Sequence, residues 1–174
     1  MYIAQQKQII PMEITEDLLA SKGKRFVNHL IDLVPQYAVI YGLSYGFYYL
    51  GEFTGNYALS DWFNGMSTVM DYVFTYLLLL IYYTLMEGYT ERTLGKYVTR
   101  TKVIKIDAEP ITLKDAFIRS LCRLIPFDML SFLGTNGKGW HDSISKTYVV
   151  DIDKFETKKQ TEINLEAIGN TLIE

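Results

Sequence analysis

The chain has 174 residues and a formal net charge of −3, the length of one domain, and its acidic balance argues against nucleic acid as a partner. A single cysteine, Cys122, excludes an internal disulfide and a cysteine-based structural zinc site. Composition is uneven: both ends are charged, whereas 11 of the 14 tyrosines fall between Tyr37 and Tyr89, a region with almost no Lys or Arg.

The opening residues, MYIAQQKQIIPME, lack the basic stretch and apolar run of a secretory signal, so membrane entry is expected through internal helices. Residues 1–21 read as a cytoplasmic N-terminal segment. Starting within it and running on to residue 25, TEDLLASKGKR predicts a short helix with Thr15 as N-cap and Gly23 as its stop. Residues 26–50 contain no Lys, Arg or Glu, and Asp32 is their one formal charge. At 1.5 Å per residue this run reaches about 37 Å, enough to cross a hydrocarbon core with some tilt. Residues 66–86 form a second such run, with one acid, Asp71, near its start. The bland alternative is a pair of buried helices in a soluble protein, which so short a chain would struggle to cover.

The loop between the runs, 51–67, has no Lys or Arg, while the flanks supply Lys22, Lys24 and Arg25 before, and Arg92, Lys96, Arg100, Lys102 and Lys105 after. That asymmetry places both termini in the cytoplasm. Phe47, Tyr48, Tyr49, Trp62 and Phe63 are expected at the outer interface and Tyr82, Tyr83 and Tyr89 at the inner one.

Beyond the second run, TRTKVIKI, the turn DAEP and the return IT predict a small β-hairpin at the membrane surface. Residues 113–133 show apolar positions at helical spacing interrupted by Lys114, Arg119 and Arg123. Each charge held near a bilayer centre costs on the order of 2.5–3.5 kcal/mol, so an interfacial or re-entrant helix broken near Pro126 is expected rather than a third crossing. GTNGKGWHD reads as a glycine-rich turn, TYVV (147–150) as a strand able to pair with the hairpin, and 152–174 as a polar cytoplasmic tail with one weak amphipathic turn. The fold class is thus an α-helical membrane protein with two transmembrane helices, an interfacial or re-entrant third helix and a small cytoplasmic β-element.

On a helical wheel Arg25, Asn28, His29, Asp32 and Gln36 form one stripe. Outward, that stripe runs into a smooth face with Gly42 and Gly46 at GxxxG spacing, suited to close helix packing, while Tyr37, Tyr41, Tyr45 and Tyr48 lie opposite. Arg25 and Asp32 stand about 10 Å apart along the axis. Because helical side chains lean toward the N-terminus, Arg25 is expected to anchor at the interface, away from Asp32. A counter-charge for Asp32 is then expected from Arg119, Arg123 or Lys96.

With Arg25, Asp32 and WHDSISKTYVV in view, the chain resembles the RDD family of small bacterial membrane proteins over roughly residues 22–151. Arg25 and Asp32 match the family's arginine and first aspartate; His141, Asp142 and Thr147 match its later His-Asp pair and strand threonine. Glu87 and the TLGK run at 93–96 match the acid and motif between them. The hairpin turn departs, with Asp107-Ala108 where relatives often carry Asp-Gly, so a different turn type is expected. The resemblance implies a bacterial inner-membrane location and a transport role, with cation/proton exchange as one form of it.

Several residues keep two readings. Asp32 is either an intramembrane acid binding a proton or cation or part of a buried ionic lock. Asp142 is either the N-cap of a helix at SISK or a second acid meeting Arg25 or the basic residues of the interfacial helix. Glu87 is either a snorkelling surface acid or a member of the same polar cluster, whereas Asp71 is expected to be solvated. Lys96 in TLGK lacks the remaining elements of a phosphate loop. His29 and His141 have no cysteine at metal spacing, so no metal, cofactor or enzymatic chemistry is expected. Two functions stay open: a homo-oligomer carrying a proton or monovalent cation on Asp32, and a non-transporting adaptor or assembly protein whose cytoplasmic hairpin and tail dock a partner. Membrane lipid is a partner under both.

Overall fold

The structure is a computed structural model in which residues 13–125, 128–131 and 139–171 are described. The opening residues to 12, Pro126 itself, most of the glycine-rich turn and the last three residues lie outside the described residues.

A 3-10 turn, Glu16–Leu18, leads into α1 (Lys22–Thr54). The expected upstream helix shrinks to this turn: the Thr15 side chain caps nothing, and Gly23 does not stop a helix but lies inside α1. The start is set instead by Ser21, whose hydroxyl accepts from the Lys24 backbone N–H at 3.3 Å. Gly55, in the left-handed region with φ of 70°, ends α1. The loop beyond holds a short helix, α2 (Ala58–Asn64). α3 (Thr68–Thr90) starts on a Ser67 cap, so the second apolar run extends four residues further than its composition indicated.

Among the described residues α3 alone is long and apolar enough to cross a membrane, with mean hydropathy 1.6 and only 6% of that window buried. A soluble protein's core helix would be buried; this one presents its side chains to the surroundings. α1 has the length but not the average, its apolar run being diluted by tyrosine, glycine and serine.

α4 (Leu94–Thr99) leads through Arg100, itself left-handed, into β1 (Thr101–Lys105). The predicted hairpin is replaced by a longer-range pairing. β1 runs antiparallel to β2 (Thr147–Asp151), with Val103 opposite Val149. The return after the turn meets β1 at one isolated bridge, Ile104 with Pro110. Pro110 has no N–H to continue a ladder, and Ala108 takes a positive φ of 63° to close the turn.

The sheet is buried on both faces, as period-2 alternation allows. Val103 and Val149 pack with Ala20, Ile111 and Ala116, whereas Ile104 and Val150 pack with Leu18 and Phe155. The N-terminal segment closes one edge through the Ala20 N–H, which donates to the Val149 carbonyl at 2.9 Å.

The expected third helix is a 10-residue α5 (Leu113–Cys122), held at its start by a Thr112–Asp115 capping box, followed by the single turn α6 (Asp128–Ser131). Ten residues cover about 15 Å, too short for a crossing. α5 buries Ala116, Arg119, Ser120 and Cys122 and exposes Phe117 and Leu121. α7 (Trp140–Ile144) precedes β2, and the polar tail, expected to hold one weak amphipathic turn, forms a helix, α8 (Ile152–Thr171), anchored by Phe155 in the sheet's core.

Candidate functional site

The polar stripe of α1 is buried where it meets α4: Arg25, Asn28 and Asp32 are all sequestered. Close approach is set by Gly95, where a Cβ would collide with the backbone of Asn28. In the orientation its partners dictate, the Asn28 amide donates to the Gly95 carbonyl at 2.9 Å, and it contacts the Thr101 hydroxyl at 3.1 Å.

This contact presents the start of α4 to Asp32. Its carboxylate accepts from the Thr93 hydroxyl at 2.7 Å, the Gly95 backbone N–H at 2.8 Å and the Tyr82 hydroxyl at 3.0 Å. The expected counter-charge from Arg119, Arg123 or Lys96 is absent among the described ion pairs. Three neutral donors serve instead, which is sufficient for a carboxylate with two oxygens.

The counter-charges named for Asp32 gather around Glu87, near the C-terminal end of α3. Lys96 Nζ and Arg119 Nε each stand 2.9 Å from it and Arg123 Nη2 stands 3.0 Å away. Glu87 is fully buried, so the snorkelling surface reading fails. Arg119 then reaches Asp142 with Nη1 at 2.7 Å and bonds the Thr147 hydroxyl. Arg25 completes the chain by pairing with the other oxygen of Asp142. Arg25 is therefore a buried partner rather than an interface anchor. What it meets is a carboxylate, not a head group.

Asp142 is not an N-cap. It is the third residue of α7 and accepts from the Gly139 backbone N–H at 3.2 Å. Its neighbour His141 bonds Asp128 of α6 through Nδ1 at 2.6 Å and through its backbone N–H at 3.0 Å. His29 is half-buried beside the cluster, on the wall of a cavity of about 40 Å³ that also touches Arg25, Asp32, Lys96 and Arg123.

Burial weighs against every charge here, and the neighbours decide whether it is outweighed. Burial raises Asp142, yet His141, Arg25 and Arg119 together hold it well below the carboxylate range. Arg119 and Arg123 are likewise raised against burial, Glu87 being the strongest opposing influence on both. For Lys96 burial prevails over Glu87 and lowers it. His141 is also lowered by burial, aided by Arg123 and Arg119 and opposed by Asp142 and Asp128. Four cations (Arg25, Lys96, Arg119, Arg123) thus face four carboxylates (Asp32, Glu87, Asp128, Asp142).

Some participants had no sequence signal. Tyr82 and Tyr83, expected at the inner interface, belong to the cluster: Tyr82 bonds Asp32, and Tyr83 is buried under the Arg123 guanidinium at 4.2 Å from its ring. Thr93 and Gly95 lay within TLGK, whose order is now explained: the first and third residues hold Asp32, the fourth holds Glu87. Asp128, which holds His141, belongs to no motif visible in the sequence. Among the described residues nothing stands within 4 Å of a Cβ at Gly42 or Gly46, so no described helix packs closely on them. No group of acids, histidines or cysteine suited to a metal occurs among the described residues.

No curated protein and no solved structure matches the chain. A family model described as the RDD family matches residues 19–146, which include every member of the network from Arg25 to Asp142. Domains of that family are typically membrane-associated, in keeping with the apolar, outward-facing α3, and this chain belongs to the RDD family.

Proposed function

We propose that the protein is a multi-pass inner-membrane protein whose α1 and α3 both cross the bilayer. The N-terminus lies in the cytoplasm, and the protein acts as a non-transporting adaptor or assembly module rather than as an enzyme. In this reading α4, the sheet, α5 and α7 form a cytoplasmic cap locked onto the inner ends of the two spans. α8 extends from the cap toward a protein partner, lipid covers the tyrosine face of α1, and a second copy of the chain packs on the Gly42–Gly46 strip.

One observation carries the reading: the acids a carrier would need are already engaged. Asp32 has three donors, Glu87 three cations, and Asp142 two arginines and a backbone N–H. Exchanging these partners for a passing ion would expose buried charges at a cost of several kcal/mol each. The second reading, proton or monovalent cation transport by a homo-oligomer, is favoured by the cavity that reaches Asp32.

Flux measurement in proteoliposomes separates them. The adaptor reading expects purified wild type to move no protons in response to Na⁺, K⁺ or Li⁺ beyond empty vesicles. It expects Asp32→Asn to lower stability by about 1.5–3 kcal/mol through weakened charge-assisted hydrogen bonds. Cation-dependent proton flux in wild type, abolished by Asp32→Asn, would overturn it.

A further inference from the structure

The cavity beside Asp32 has more donors than acceptors. Arg25 is 6% exposed, and although one of its nitrogens is paired with Asp142, its Nε and Nη2 are buried with no hydrogen-bond partner among the described residues. Arg123 Nε, on the same wall, is in the same condition. Buried donors are paired in the great majority of proteins, and each orphan needs an explanation. These three guanidinium nitrogens belong to two residues of one cavity's lining, and an acceptor that entered the cavity and drew the side chains to it would answer for all three.

The neighbouring carboxylates are not that acceptor. Asp32 spends its oxygens on Tyr82, Thr93 and Gly95, and Asp142 spends its own on Arg25, Arg119 and Gly139. Arg25, Lys96 and Arg123 line the space against one carboxylate, with His29 and His141 adding two imidazoles. Each of these cations also has a carboxylate at its back, Asp142 for Arg25 and Glu87 for Lys96 and Arg123, so it is the unpaired guanidinium N–H groups rather than net charge that call for an acceptor. The cavity's volume of about 40 Å³ exceeds the room for a single water of roughly 10–15 Å³, and the planar fork of arginine matches tetrahedral oxyanions.

We propose that this cavity is an oxyanion site taking a phosphate group, supplied either by free phosphate or by a phospholipid head group. It lies at the end of α1 where, in the adaptor reading, the cytoplasmic leaflet's head groups begin, so both sources reach it. The site stands apart from that reading, since it is scored by binding and not by flux.

The test uses the full chain, delipidated in a non-ionic detergent and phosphate-free buffer. Inorganic phosphate at hundredfold excess over its Kd should raise the unfolding temperature by about 5–10 °C, saturably, with chloride at equal ionic strength producing no such rise. Dioleoylphosphatidylglycerol added at equal phosphate content forms the second arm. Stabilisation by lipid alone identifies a head group, and stabilisation by phosphate alone identifies the free ion. His29→Glu, which adds a carboxylate to the wall, should weaken phosphate at least tenfold; Arg123→Gln serves the same purpose if that variant does not fold. A wild-type response to both probes no greater than to chloride would mean that water fills the space and would overturn the site. So would a phosphate response that His29→Glu and Arg123→Gln leave unchanged.

Discussion

His141 shows how single residues set the conditions under which the network holds. Burial and the nearby arginines keep its imidazole below the ordinary histidine value of 6.5, while Nδ1 bonds Asp128. An unfolded chain takes up a proton near pH 6.5 that the folded chain refuses, so folding stability falls as pH drops through that value. Asp142, Asp128 and Asp151 are all shifted below 3.8. Their contribution is complete above about pH 5 and is lost only in stronger acid. Between pH 7.5 and 5.5, then, denaturant unfolding in detergent should report a weaker protein at the lower pH. His141→Gln, which keeps a donor toward Asp128 but does not titrate, should shrink that difference. An undiminished pH dependence in the variant would assign the effect elsewhere.

At the scale of elements, the decisive contact is α4 against α1, and Gly95 is its narrowest point. A methyl group there meets the Asn28 backbone, which has no flexible side chain to yield. Gly95→Ala must push α4 away and draw Thr93 and the residue 95 N–H off Asp32 together. Overpacking of this kind costs about 1–3 kcal/mol before the lost hydrogen bonds are added. Gly42→Ala makes the opposite test, since nothing lies within 4 Å of the new atom. It should leave the isolated chain unharmed or gain up to about 1 kcal/mol of helix propensity. Chemical denaturation of the two variants side by side checks both expectations, and equal losses would contradict the assigned contact. The contrast also shows where sequence reading reached and where it stopped. The stripe from Arg25 to Asp32 was legible because helical periodicity is local. The Arg25–Asp142 pair was legible only as one of two readings of Asp142, because its partners are 117 positions apart and spacing cannot decide between readings at that range. Asp32 misled for a different reason: a formal charge invites a search among formal charges, while its real partners are hydroxyls and a backbone N–H. The helix of α8 was hidden too, because residues with little apolar periodicity still form a helix when one end is pinned, here by Phe155.

Taken whole, the molecule inverts the usual distribution of side chains. Arg119, Glu87, Asp32 and Asp142 are among its most deeply buried residues, while Phe53 is 91% exposed and Tyr72, Tyr89 and Val69 stand open. Water would penalise both halves of that arrangement, charges inside and apolar rings outside; a bilayer rewards both, since the rings meet lipid and the charges pair away from it. The same inversion runs through α5, whose arginine faces inward and whose Phe117 and Leu121 face out. If α1 and α3 cross as proposed, the α1–α2 loop and α8 lie on opposite sides of the membrane, and the loop's lack of Lys and Arg puts it outside. On a Cys122→Ser background, Asn56→Cys should react with an impermeant maleimide in intact spheroplasts. Gln160→Cys, exposed on α8, should react only after the membrane is permeabilised. Labelling of both variants from the same side would mean that α1 and α3 do not both leave α8 and the loop on opposite faces, and would overturn the two-span arrangement; a reversed pattern would keep the spans and invert their direction.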